Sequence, residues 1–161
     1  LRSTTSIVLV WLLVCGLIYW AFDALILKQH NPNSLRITAN QGQTLVLKRS
    51  RDGHFRLSAT MNQEPVVLLI DTGASMVTVG EALANRLKLP RGEAFITQTA
   101  NGETSAYWSQ VTQMSLGPYM LENVRVGVVP RLGDEALLGM NVLKNFSVQI
   151  AGDQMTIKSL E

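Results

Sequence analysis

The sequence has almost none of the groups from which metal centres and thiol chemistry are built. It holds a single cysteine, Cys15, and two histidines, His30 and His54. One cysteine excludes a disulfide framework within the chain, and its place inside an apolar run gives no thiolate site. The histidines stand apart, and no nearby Cys or His completes a ligand set, so neither a metal nor a cofactor is expected. Charge is also scarce. The formal net charge is +2, and beyond the first apolar stretch acids and bases nearly balance. A nucleic-acid partner is therefore not expected, because such proteins carry a strong basic excess. The local cluster Lys48, Arg49, Arg51 and Arg56 reads as a solvated hairpin, with lipid headgroups as its other possible contact. Internal repeats and low-complexity segments are absent.

What is present begins with a long apolar run. Residues 6–27 read SIVLVWLLVCGLIYWAFDALIL, with Asp23 the only charge. A helix of about 20 apolar residues spans the hydrocarbon core of a bilayer. Tyr19, Trp20 and Phe22 suit an interfacial aromatic belt. A cleaved signal peptide is the main rival, but its apolar region is about 7–15 residues long. The run here is longer, and Phe22-Asp23-Ala24-Leu25 is a poor cleavage site. A buried helix would find little to pack against in the more polar remainder. The expected organisation is a transmembrane anchor over residues 1–27, a polar linker over 28–42 and one domain over 43–161. Arg2 precedes the helix, whereas Lys28 and Arg36 follow it, so the positive-inside count leans away from export of the domain.

From Gln43 onward, short β-like runs alternate with turn signals. Residues 44–49 and 55–61 are expected strands around Asp52-Gly53, a hairpin signal. Residues 62–65 form a turn. Residues 66–70 are continuously apolar, as a strand buried on both faces would be. A short strand at 76–79 leads into a short helix at 81–88. Strands at 94–99 and 103–111 flank Asn101-Gly102, a second hairpin signal. Further strands are expected at 113–116, 124–129 and 136–138, then a helical turn at 140–145. A last hairpin joins 147–150 to 154–158 around Gly152-Asp153. Many short strands with frequent turns indicate a closed or sandwich-like β domain decorated by two short helices.

The chemistry concentrates at Asp71-Thr72-Gly73-Ala74-Ser75. An acid directly after five apolar residues is unusual, because a lone buried carboxylate is costly. An isolated Asp-Thr-Gly is more simply a turn, with Asp71 folded back on its own backbone. Context changes that balance. A buried-type strand precedes it, a short helix follows, and a second apolar strand ending in glycine, Ala136-Leu137-Leu138-Gly139, appears downstream. A strand of that kind can lie beside the Asp-bearing loop.

Val67-Leu68-Leu69-Ile70-Asp71-Thr72-Gly73-Ala74-Ser75 resembles the active-site motif of retropepsin-like aspartic peptidases. Leu137, Leu138 and Gly139 resemble the second hydrophobic-hydrophobic-glycine motif of that family. With Asp52-Gly53-His54-Phe55, Thr99-Ala100-Asn101-Gly102 and Met140, the pattern is similar to a bacterial, membrane-anchored branch. The similarity covers residues 43–158. It implies a mainly β, retropepsin-like closed barrel, and an aspartic endopeptidase acting on a polypeptide. Asp71 would be the catalytic acid, Thr72 a brace across a dimer axis, and Gly73 a point of close substrate approach. Asn101 and Gly102 would tip a flap. Only one Asp-Thr-Gly is present, so the resemblance implies a homodimer in which each copy supplies one Asp. An isologous interface brings the same residue from both subunits to the axis. The resemblance also implies single-pass anchoring in the inner membrane, with the domain in the periplasm. At position 74 this chain has Ala where two-lobed acid enzymes have Ser or Thr. The missing hydroxyl predicts activity closer to neutral pH. A non-catalytic peptide-binding or dimerisation module on the same fold is the alternative function.

Overall fold

A computed structural model of the chain describes residues 4–33, 44–99 and 102–160. The long apolar run forms one helix, α1 (Thr4–His30). At about 1.5 Å per residue it is roughly 40 Å long. Its apolar window lies entirely outside the protein core, and its length and composition are sufficient to cross a membrane. The helix continues to His30, three residues past Leu27.

The rest of the described chain is mostly strand. The strands are β1 (Thr44–Lys48), β2 (Arg56–Met61), β3 (Glu64–Ile70), β4 (Val77–Gly80), β5 (Ala94–Thr99), β6 (Gly102–Leu116), β7 (Tyr119–Val129), β8 (Ala136–Leu138), β9 (Phe146–Ala151) and β10 (Gln154–Ser159). Two short helices interrupt them, α2 (Glu81–Arg86) and α3 (Met140–Leu143). One sheet runs β2-β3-β8-β4-β7-β6-β5, and β6 also pairs with β2. That pairing, Thr60↔Ser115 and Met61↔Met114, closes a six-stranded barrel and leaves β5 outside it. The Ser115 hydroxyl reinforces the closure, lying 2.7 Å from Thr60 Oγ1 and accepting the Thr60 N–H at 3.0 Å. Leu57, Met61, Leu68, Val77, Val79, Val111, Met114, Val126 and Leu138 are fully buried in the core. Alternation explains this along β3, where Val66, Leu68 and Ile70 point inward and Val67 and Leu69 are half-buried.

Three local expectations are corrected. The strands around Asp52-Gly53 do not form a regular hairpin. Only one bridge, Arg49↔Phe55, joins them, while β1 pairs with β10 and β2 with β3. Glu64 and Pro65 belong to β3 rather than to the turn, which is the two-residue loop Asn62-Gln63 with both φ positive. The polar stretch around Thr112 does not end a strand, because β6 runs unbroken to Leu116 against β7.

The cluster read as a solvated hairpin also proves to be partly interior. The Arg56 side chain is 5% exposed. Its guanidinium donates to both carboxylate oxygens of Asp52, at 2.9 and 2.7 Å, and its Nε donates to Glu135 at 2.8 Å. Two acids meet one buried cation, which is how a buried guanidinium is tolerated. His30, at the end of α1, lies 2.7 Å from the same Glu135 oxygen. Just beyond it, Asn33 is buried between β1 and β2. Its carboxamide accepts the Lys48 N–H at 2.9 Å and donates to the Lys48 and Arg56 carbonyls. One side chain thus stands in for a strand where β1 and β2 separate. Asn31 adds a bond to Ser58. The end of α1 is therefore fastened to the barrel.

Candidate active site

β3 and β4 lie on opposite sides of β8, so the 71–76 loop must cross the end of β8. β3 pairs with β8 in parallel, Leu69↔Leu137 and Ile70↔Leu138. β4 meets β8 from the other side at Thr78↔Leu137. The two motifs recognised in the sequence, nearly seventy residues apart, are thereby placed side by side. Asp71 N–H donates to the Leu138 carbonyl at 3.1 Å. The first turn of α3 then holds the loop from below. Met140 N–H donates to the Ala74 carbonyl at 2.8 Å, and Asn141 N–H to the Ser75 carbonyl at 3.1 Å.

This crossing explains why position 139 is glycine. A Cβ there would lie 2.3 Å from the Met76 carbonyl oxygen and 2.7 Å from the Met76 nitrogen. The φ of Gly139 is −95°, so the requirement is space rather than an unusual backbone angle.

Asp71 is half-buried, Thr72 and Gly73 are exposed, and Ala74 is half-buried. The acid is thus not buried in the single chain; the apolar run ends in the core at Ile70, and Asp71 emerges from it. Gly73 N–H donates to Asp71 Oδ1 at 2.8 Å. This is the fold-back that a turn-forming aspartate makes. Among the described residues no other group donates to that carboxylate. No group of His, Cys, Asp and Glu among the described residues is arranged to hold a metal.

Gly102 is the first residue of β6, paired with Thr99, and its φ of +98° suits only glycine. It therefore sits at the root of the hairpin turn rather than at its tip. Asn101 lies outside the described residues. The base of the β5–β6 hairpin and the end of the Asp loop both reach Gly127. Gly127 of β7 has no side chain, and the space is taken by Met76 Sδ and the Phe95 ring, 2.9 and 3.4 Å from where a Cβ would stand. Phe95 stacks on Trp108 at 4.3 Å between centroids, and Arg125 lies over the other ring at 3.8 Å.

Sequence reasoning missed Asn141. Its Oδ1 accepts the Val77 N–H at 2.8 Å and its Nδ2 donates to the Arg125 carbonyl at 2.9 Å. It links the strand after the Asp loop to β7. Its position two residues after Gly139 was the available signal, but nothing in its type announces the role. Met76 and Gly127 were missed for the same reason.

A closed barrel with an Asp-Thr-Gly loop crossed over a hydrophobic-hydrophobic-glycine strand defines an aspartic-protease-like protein. The comparisons agree. Residues 57–145 match the family described as "gag-polyprotein putative aspartyl protease", and the chain belongs to the retropepsin-like aspartic peptidase family. A retropepsin-like aspartic protease from Rickettsia conorii superposes with a TM-score of 0.59 at 29% identity, over 71% of this chain and 89% of that one. Two uncharacterised bacterial proteins are similar in sequence. One, in the cobV 5′ region of a Sinorhizobium species, is 31% identical over 76% of this chain and 55% of its own length. The other, from Rickettsia prowazekii, is 30% identical over 63% of this chain and 45% of its own length. The chain thus spans about half the length of these curated relatives.

Proposed function

We propose that the protein is a membrane-anchored aspartic endopeptidase that cuts polypeptides as a homodimer, with Asp71 of each copy forming the catalytic pair. The observation that carries this reading is the Asp71 loop itself. It is braced by α3 and β8, yet its Asp-Thr-Gly face stays open in the single chain. A second copy, related by a twofold axis, would bring a second Asp71 to that face and place Thr72 where it can brace the pair.

The chemistry then follows from two close carboxyls sharing one proton, a tuning for which aspartic proteases are the standard example. The ionised member takes a proton from a water molecule, whose oxygen bonds to the scissile carbonyl carbon. The protonated member donates to the carbonyl oxygen. The carboxyl that took the water proton then passes it to the nitrogen as the C–N bond breaks, and a hydroxyl on the carbon returns its proton to the other carboxylate. Gly73 N–H, by holding Oδ1, fixes the carboxylate plane relative to the loop. The β5–β6 hairpin is the element that would cover a bound polypeptide, and its Phe95 and the loop's Met76 share the space beside Gly127.

In this reading α1 is a single inner-membrane span, and confinement to the bilayer raises the effective concentration of the second copy. The resemblance supports a periplasmic domain, while the lysine and arginine count leans weakly toward the opposite side. Protease protection in spheroplasts against intact cells decides between them.

The fold-back of Asp71 onto Gly73 also fits a second reading, a non-catalytic peptide-binding or dimerisation module in which Asp71 merely shapes a turn. One experiment separates the two. The full chain in lipid and its Asp71→Asn variant are incubated with an unfolded protein mixture from acidic to neutral pH. Cleavage by the native chain alone, falling on dilution, supports the dimeric peptidase. Unchanged behaviour of the variant supports the module.

A further inference from the structure

The end of α1 and the barrel enclose an open cleft of about 530 Å³, lined by Leu25, Lys28, Pro32, Lys48, Arg49 and Arg51, with Gln29 beside them. Among the described residues no acidic side chain lines it. Arg49 is already engaged, donating to the Gly53 and Gly152 carbonyls and lying 3.6 Å from Asp153. Among the described residues nothing neutralises the other three cations. Arg51 donates to Gln29, which carries no charge. Lys28 and Lys48 make no ion pair among the described residues. Three uncompensated positive charges around one cavity repel each other, and an anion between them removes that repulsion.

Two features say what kind of anion. The first is the apolar wall. Leu25 lies three residues before Lys28, on the same face of the helix, so the cleft is cationic on one side and hydrocarbon on the other. The second is depth. The apolar run over residues 7–27 is about 31 Å long at about 1.5 Å per residue, which matches a hydrocarbon core of about 30 Å. With α1 as a span, Lys28 and the cleft fall in the headgroup layer. This step rests on the membrane-anchor reading given above.

We propose that the cleft seats the headgroup of an anionic phospholipid, its phosphate between Lys28, Lys48 and Arg51 and its glycerol end against Leu25. A free phosphate would satisfy the cations but leave the Leu25 wall without a partner. A lipid satisfies both. Because Lys28 belongs to α1 and Lys48 to β1, the bound lipid bridges anchor and barrel.

The test uses the full chain reconstituted in bilayers of mixed phosphatidylcholine and phosphatidylglycerol, with retained lipids counted by native mass spectrometry. Phosphatidylglycerol is expected to be retained well above its share of the bilayer. Lys28→Gln and Lys48→Gln should each lower that enrichment about fivefold, since a basic residue near an anionic surface is worth about 1 kcal/mol. Arg51→Gln provides an independent variant with the same expected direction. Equal retention of the two lipids overturns the proposal, as does enrichment unchanged in all three variants. Displacement of phosphatidylglycerol by inorganic phosphate alone would also overturn it, showing a simple anion site. Flotation with pure phosphatidylcholine vesicles after an alkaline wash tests the anchor separately. A chain that floats but shows no lipid preference defeats this proposal and leaves the anchor standing. A chain that does not float defeats the anchor, and this proposal with it.

Discussion

Replacing Gly139 by Ala should damage both the fold and the Asp71 loop, and the size of the effect follows from one distance. The added Cβ would stand 2.3 Å from the Met76 carbonyl oxygen, whereas real Cβ atoms essentially never approach closer than 3.0 Å. The backbone must retreat by at least 0.7 Å, the difference between those two distances. Neither side yields easily. Residue 139 follows β8, paired on both sides, and Met76 leads into β4. Overpacking of this kind costs about 1–3 kcal/mol, and clash with backbone rather than a flexible side chain places it near the upper end. For a domain of roughly 115 residues the unfolding entropy is about 0.24 kcal/mol per degree, so about 3 kcal/mol lowers Tm by about 12 °C. Turnover should fall further, by about 100-fold, because a shift approaching 1 Å in a catalytic group has that effect. Near-UV circular dichroism melts of the full chain in detergent measure the first, and peptide cleavage the second. Gly133→Ala is the control, since a Cβ at Gly133 meets nothing within 4 Å. If Gly139→Ala melts together with Gly133→Ala, the crossing of the loop over β8 is not as tight as the distances require, and the reasoning fails.

Other consequences can be tested alongside. Asn33→Ala leaves the Lys48 N–H and the Lys48 and Arg56 carbonyls without the carboxamide that serves them; it should lower stability by about 1–3 kcal/mol, and an unchanged denaturation midpoint would contradict the bridge. The Arg56 guanidinium holds the Asp52 carboxyl far below the usual carboxylate range, and Asp52 in turn raises the affinity of Arg56 for its proton. Stability from this pair is fully present above the unfolded Asp value of about 3.9 and is lost as pH falls through the depressed folded value. The native urea midpoint should therefore fall more steeply below pH 4 than that of Asp52→Asn, which starts lower at neutral pH; parallel curves would remove the pair from the account. Ala74→Ser adds a hydroxyl next to the Asp loop while the Ala74 carbonyl keeps its bond from Met140. The acid limb of its cleavage profile should move to lower pH, and no movement or a move to alkaline pH would count against the role given to position 74.

Local signals in the sequence were reliable where the cause was local. Gly152-Asp153 marked a hairpin turn because turn geometry is set by the residues in the turn. The apolar runs ending at Ile70 and Leu138 read as core strands, and their adjacency could be suggested from the shared pattern. What could not be read was partnership at a distance. β1 was assigned to the nearer strand, yet it pairs with β10, over a hundred residues away. Thr112 and Gln113 look like a break, but β6 continues through them against β7 although both side chains are exposed and the in–out alternation lapses there. Asn33 was read as linker and Arg56 as part of a solvated hairpin because a buried polar residue with all its partners is spelled in the same letters as an exposed one. At the site, the Asp-Thr-Gly stood out by type, whereas Asn141 acts through backbone groups it reaches only after folding.

The crossing of the Asp71 loop over β8 has a consequence for the order in which the molecule acquires its parts. Residues 68–70 pair with 136–138, and the loop carbonyls at 74 and 75 are held by the N–H groups of 140 and 141. While the chain is being synthesised, residues 44–129 can emerge with their loop carbonyls answered only by water. The brace arrives only once residues 136–141 have emerged, and contacts of such long sequence separation are slow to form. On the peptidase reading proposed above, the Asp71 loop would stay unbraced until residues 136–141 emerge, and the step that completes the barrel would be the same step that arms it.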